Sequence, residues 1–118
     1  MKNILIVDDE EDIRNLYESE FEIEGYNTHS VSSGSEALEF IKKNSNLDLV
    51  ILDIKMDDLD GLEVLENIRT ETNKVPVILN SAYSTYKNNF TSWLADAYLV
   101  KSSNLSELKD KVQELLSV

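Results

Sequence analysis

The chain has no cysteine, which excludes disulfides and thiolate chemistry while saying little about compartment. It also lacks any long apolar run; the longest are a handful of residues, against the ~20 that a membrane-spanning helix needs. The run from Ile4 to Val7 follows a single lysine and leads straight into acids. It therefore reads as a buried strand of a cytoplasmic protein and not as the apolar core of a signal peptide. Basic residues are scarce: 11 against 23 acidic ones give a net charge of −12. A field of that sign repels phosphate backbones and anionic lipid, so cations and other proteins are the expected partners, and nucleic acid and membranes are not. No repeat, low-complexity tract or linker interrupts the 118 residues. That length suits one domain, 1–118, built on one covered sheet, and any second activity would come from a partner.

What is present is an alternation of short unbroken apolar runs with helical patterns. The spacing predicts strands over 3–7, 26–31, 47–53, 75–80 and 96–100, and helices near 11–24, 34–44, 61–70, 84–93 and 104–117. That is (βα)5, the order of an α/β doubly wound parallel sheet. Ile13, Leu16, Tyr17 and Phe21 form an inward stripe on the first helix, with Gly25 placed to stop it. Leu105, Leu108, Val112, Leu115 and Leu116 do the same on the last, where Asn104 and Glu107 are spaced as a capping box. The strand from Tyr26 to Val31 is the most polar and belongs at an edge. His29, the only histidine, sits within it and reads as structural.

Four of the apolar runs end on residues with chemistry: Asp8-Asp9-Glu10, Asp53, Asn80-Ser81 and Lys101. Each alone has a bland reading, as a helix-starting acid, a turn residue, a backbone-bonded hydroxyl or a solvated cation, and Asp57-Asp58 reads as a solvated loop pair. Together they are informative, because open α/β sheets bind ligands just beyond the carboxyl ends of their strands. Two carboxylates ~5 Å apart repel by about 3 kcal/mol at an effective dielectric of 20. Asp8, Asp9 and Asp53 therefore cannot all ionise unaided, and one lysine cannot offset them all. Mg²⁺ fits such a site, since it takes a few carboxylate oxygens and keeps waters that a phosphate can replace. A carboxylate beside it can attack phosphorus and carry an aspartyl phosphate, with Lys101 neutralising the transferring oxygens and Ser81 donating a hydrogen bond.

These residues resemble the receiver domain of two-component response regulators over essentially the whole chain. The matching stretches are Ile4 to Glu10, Leu52 to Met56 with Asp60-Gly61, Ser81-Ala82, and Ala95 to Lys101. The resemblance implies a flavodoxin-like sheet of strand order 2-1-3-4-5 and a cytoplasmic signalling module similar to the stand-alone receivers. It implies that Asp53 takes a phosphoryl group from a histidine kinase or phosphotransfer protein. It also implies that Asp9, Asp53 and the Lys55 carbonyl hold Mg²⁺, with Asp8 helping through water. Ser81 and Tyr98 would be the switch pair that alters the surface formed by the fourth helix, fifth strand and fifth helix for a downstream protein. Such a module catalyses only its own phosphorylation and dephosphorylation. The kinase is expected to dock over the first helix near Ile13 and Leu16.

The chain departs from the family's usual pattern at Asp57 and Ser102, where proline is common, and at Leu94, where glycine is. The Lys101–Ser102 bond is expected to be trans, because a non-proline cis bond costs about 2.5–4 kcal/mol. Tyr83, Tyr86, Phe90 and Trp93 crowd the fourth helix; half are expected in the core and the rest, with Tyr98, on a partner surface. The rival readings are a small Mg²⁺-dependent phosphohydrolase with an aspartate nucleophile and a pseudo-receiver that only binds partners. The first needs a second aspartate two residues on, where Lys55 stands. An FMN carrier of the same fold is disfavoured because Asp8 to Asp12 would repel its phosphate.

Overall fold

The computed structural model describes residues 1–70, 74–83 and 90–117. Strands β1 (Asn3–Val7), β2 (Asn27–Val31), β3 (Leu49–Leu52), β4 (Val77–Ser81) and β5 (Ala97–Val100) alternate with helices α1 (Glu11–Ile23), α2 (Gly34–Lys43), α3 (Gly61–Thr70) and, after β5, α4 (Ser106–Leu116). All pairings are parallel and the strand order is β2-β1-β3-β4-β5, as the resemblance implies. The predicted helix over 84–93 lies mostly outside the described residues, and its described end, Phe90–Leu94, is a 3-10 turn. Among the described residues, no helix is long and apolar enough to cross a membrane, and all peptide bonds are trans, Lys101–Ser102 included.

Two apolar layers explain why the central strands are unbroken hydrophobic runs. Leu5, Val7, Val50, Leu52, Val77 and Leu79 face α2 and α3, meeting Ala37, Ile41, Leu62, Leu65 and Ile68. Their neighbours Ile4, Ile6, Leu49, Ile51 and Ile78 face α1 and α4, meeting Tyr17, Phe21, Leu108 and Val112. Side chains alternate between faces along a strand, so a sheet covered on both sides needs apolar residues at every position. Each such side chain contributes about 1.5–3 kcal/mol on burial. β2 lies at one edge as predicted, half-buried and polar, with the His29 ring centroid 5.2 Å from that of Phe40.

Two details of the helices differ from expectation. Leu16 is not part of the inward stripe of α1; it is 44% exposed, while Tyr17 and Phe21 are buried. The capping box at the last helix does not form either. Asn104 Oδ1 instead accepts from the Ser106 amide (2.9 Å) and hydroxyl (2.6 Å), and Leu105 takes the cap position. An asparagine side chain reaches the backbone two residues on as readily as three, which turns the chain one step later.

Candidate functional site

The strand register carries the polar ends to one edge. Val7 pairs with Leu52 and Ser81 with Val100, so Asp8 and Asp53 emerge side by side and Lys101 emerges next to Ser81. The backbone continues this beyond the strands: Asp53 N donates to the Val7 carbonyl (2.9 Å) and Lys101 N to the Ser81 carbonyl (2.7 Å). β1 and β3 are also where the connections part to opposite sides of the sheet, the place at which such folds open a crevice.

Asp8 is 2% exposed and fully committed. Its Oδ1 accepts from the Glu10 amide (3.0 Å), its Oδ2 receives the Lys101 ammonium (2.7 Å), and Arg14 Nη1 donates to its carbonyl (2.9 Å). Asp9 differs: it is exposed, and its carboxylate has no hydrogen-bond partner among the described residues. Asp53 is 5% exposed. Its Oδ1 accepts from the Ile54 amide (2.9 Å) and lies 3.5 Å from Lys101 Nζ. Its Oδ2 has no hydrogen-bond partner among the described residues. Burial pushes the Asp53 carboxyl up from 3.8 to about 6; the Lys101 charge pulls it back, and Asp8 and Asp9 push it further up. Burial of Lys101 opposes its charge, but the bond to Asp8 and the pull of Asp53 hold its pKa above the ordinary value.

Ser81 is wholly buried, and its Oγ accepts from the Tyr83 amide (3.1 Å), while the Tyr98 hydroxyl donates to the Tyr83 carbonyl (2.5 Å). The two residues expected to form a switch are therefore joined through one peptide segment. Tyr83 and Trp93 are exposed, Trp93 at 66%; Tyr86 lies outside the described residues. On α1, Ile13 is half-buried, and Leu16 lines an open groove of about 390 Å³ with Glu20, Leu105 and Lys109.

The donor set suits a hard divalent cation. Carboxylate oxygens of Asp8, Asp9 and Glu10 lie within 4.8 Å of one another, so Glu10, named in the sequence reading at the strand end but without a ligand role, joins the acidic group. Asp53 stands beyond that cluster, linked to Asp8 through Lys101. Burial first, and the neighbouring carboxylates of Asp8 and Asp9 after it, disfavour the ionised form of Asp53, and a bound cation would offset both.

Other residues were missed because their signal is spatial. Asp58 is not a merely solvated acid: its carboxylate accepts from the Gly34 amide, the Ser35 amide and the Ser35 hydroxyl. Gly61 is packed so tightly beneath the site that a Cβ there would lie 2.1 Å from the Asp53 carbonyl oxygen. Tyr17, read only as core, accepts from Asn80 Nδ2 (2.7 Å) one residue before Ser81.

Comparison with known proteins follows the same lines. The family model of the response regulator receiver domain matches residues 4–113. Response regulator protein TrrA from Thermotoga maritima, solved in complex with Mg²⁺-BeF, has a TM-score of 0.95 at 48% identity, covering 98% of this chain and 100% of that one. TrrA solved with histidine kinase ThkA has a TM-score of 0.92 at 49% identity, covering 99% and 100%. Regulatory protein AtoC of Escherichia coli K12 is 32% identical over 120 residues, 100% of this chain but 26% of AtoC. Probable transcriptional regulator ycf27 of Porphyridium aerugineum is 36% identical over 117 residues, 98% of this chain and 48% of ycf27. The chain thus spans a quarter to a half of the length of these two relatives. With the sheet order, the acidic edge and the matched residues in agreement, the chain belongs to the response regulator receiver domain family.

Proposed function

We propose that the chain is a Mg²⁺-dependent phosphoacceptor that receives a phosphoryl group on Asp53 from a histidine kinase and passes the change to a protein partner. The observation that carries this is the state of Asp53: a buried carboxylate with one oxygen held by the Ile54 amide and the other unbonded, beside Lys101. That TrrA has been solved with Mg²⁺-BeF and with a histidine kinase supports the same reading.

Asp53 Oδ2 is the nucleophile. It forms a bond to phosphorus as the bond from phosphorus to the imidazole nitrogen breaks, and that electron pair stays on the departing imidazole. Asp9, Asp53 and the Lys55 carbonyl would hold Mg²⁺, with Asp8 contributing through water. When bound, the ion neutralises charge on the phosphoryl oxygens. Lys101, already aimed at Asp53, supplies the second positive charge.

The Ser81 hydroxyl donates to a phosphoryl oxygen once it turns toward Asp53. Turning gives up the bond from the Tyr83 amide, so one tie on the segment that also holds the Tyr98 hydroxyl is lost. One new charged group thereby biases a two-state element and changes the surface around Tyr98 and Trp93. Asp57 and Ser102 in place of prolines remove none of these groups.

Incubation with acetyl phosphate and Mg²⁺, followed by intact mass, tests the assignment. One phosphoryl group should be added, it should require the metal, and it should vanish in Asp53→Asn, whose amide cannot attack phosphorus. Full labelling of that variant would overturn the choice of nucleophile.

A further inference from the structure

The loop from Asp53 to Gly61, which contains Lys55, is held at two points. At its base, the Gly61 amide donates to the Ile54 carbonyl (2.7 Å). At its apex, the Asp58 carboxylate reaches the first turn of α2. Oδ1 accepts from the Gly34 amide (3.0 Å), and Oδ2 accepts from the Ser35 amide (3.1 Å) and hydroxyl (2.7 Å). The contact is close. A Cβ on Gly34 would lie 2.6 Å from the Leu59 carbonyl oxygen and 2.8 Å from the Leu59 Cβ, so α2 and the loop can meet this way only with glycine at 34. The Ser35 hydroxyl, with the amides behind it, holds the Asp58 carboxyl down to about 2, so the carboxylate keeps its charge across the physiological range.

Between the two ties, Lys55 and Asp57 make no hydrogen bond among the described residues. Position 57 is aspartate, with a free φ that a proline would fix near −65°. Local stiffness therefore has to come from elsewhere, and half-buried Met56 and Leu59 supply only part of it.

We infer that Asp58 is a positioning residue for the metal site: by clamping the loop apex to Gly34 and Ser35, it holds the Lys55 carbonyl where a divalent cation on Asp9 and Asp53 needs it. The inference rests on the phosphoacceptor reading above. A carboxylate used only for solubility would not converge on two backbone amides and a hydroxyl of a neighbouring helix. Groups that orient a ligand without touching the metal still cost affinity when removed, typically tenfold or more.

The test uses the full chain and Mg²⁺ alone, titrated by calorimetry after treatment with chelator. Asp58→Ala should weaken Mg²⁺ binding roughly tenfold. Ser35→Ala should weaken it less, because both backbone donors remain. Adding Asp57→Pro to Asp58→Ala should recover most of the loss, since a fixed φ replaces the missing tie. In the metal-free protein, the amides of residues 56–59 should exchange faster in Asp58→Ala, while exchange in β1 and β3 stays as in the unaltered chain.

Binding by Asp58→Ala equal to that of the unaltered chain would overturn the inference. A loss that Asp57→Pro does not reverse, or one accompanied by faster exchange throughout the sheet, would do the same, since the aspartate would then serve general stability. An unaltered chain that takes up no Mg²⁺ at all would instead refute the phosphoacceptor reading, a failure distinct from that of the clamp.

Discussion

Replacing Asp53 by asparagine should stabilise the metal-free chain at neutral pH although it removes the reactive group. In the folded chain the Asp53 carboxyl is raised from 3.8 to about 6 by burial and its acidic neighbours, net of the attraction of Lys101. Two units correspond to about 3 kcal/mol of penalty on the ionised form. Asparagine keeps the shape and the oxygen that accepts from Ile54 and drops the charge, so the gain at pH 7.5 should approach that figure. The pH dependence fixes the sign. The folded state binds this proton more tightly than the unfolded chain, so the stability it contributes is complete below pH 3.8 and is lost as pH rises through about 6. Between those values the unaltered chain should lose about 1.4 kcal/mol per pH unit relative to Asp53→Asn. Urea unfolding with chelator present, at pH 4.5 and pH 7.5, measures this directly. At the higher pH the variant's midpoint should lie about 1–3 M above that of the unaltered chain, given m-values of roughly 1–3 kcal/mol/M, and Mg²⁺ should narrow the gap. A variant no more stable at pH 7.5, or a gap of the same size at both pH values, would refute the reasoning.

Asp9→Ala should weaken Mg²⁺ binding more than Asp8→Ala, because both Asp8 oxygens already have partners and Asp9 has none among the described residues; equal losses in a metal titration would remove that distinction. Ile13→Ala and Leu16→Ala should slow phosphorylation by the kinase about tenfold, the effect of removing a 1.4 kcal/mol contact, while leaving acetyl phosphate labelling unchanged. A parallel fall with both donors would deny them a docking role. Under the proposed mechanism the side chains two residues beyond Asp53 and Ser81, Lys55 and Tyr83, would flank the in-line water, and neither is suited to orient it, so hydrolysis of the phosphorylated chain should be slow. Lys55→Asn with Tyr83→Glu should shorten the lifetime after donor removal, and an unchanged or longer one would show that these positions do not control water access.

The sheet was legible because a strand covered on both faces has no choice of composition: Ile4 to Val7, Leu49 to Leu52 and Val77 to Leu79 could be little else. Once the runs are aligned by their ends, Asp8, Asp53, Ser81 and Lys101 fall together without any knowledge of the loops. What stayed hidden depends on contacts between residues distant in sequence. Asp58 looks like any surface acid until α2 is set 24 residues back along the chain and against it. Leu16 fits an apolar stripe by its spacing, yet it is left exposed, because the face of α1 that meets the sheet carries Tyr17 and Phe21. Asn104 shows the limit of spacing itself, since the same side chain can serve an amide two or three residues on.

The bond between Asn80 and Tyr17 has a consequence for uniqueness. Apart from that bond, Phe21 of α1 meets Ile4, Ile6, Ile51 and Ile78 in one apolar cluster, and greasy surfaces of that kind tolerate sliding. An α1 displaced by one turn would still cover apolar area, but it would strand the Asn80 amide next to the acidic edge at a cost of about 1–3 kcal/mol. Slipped arrangements are thereby disfavoured roughly 5- to 150-fold relative to the native one, the ratio those energies represent. The pair works as a registration pin: it fixes how far along the sheet the helix bearing the Arg14 brace and the Leu16 rim can sit.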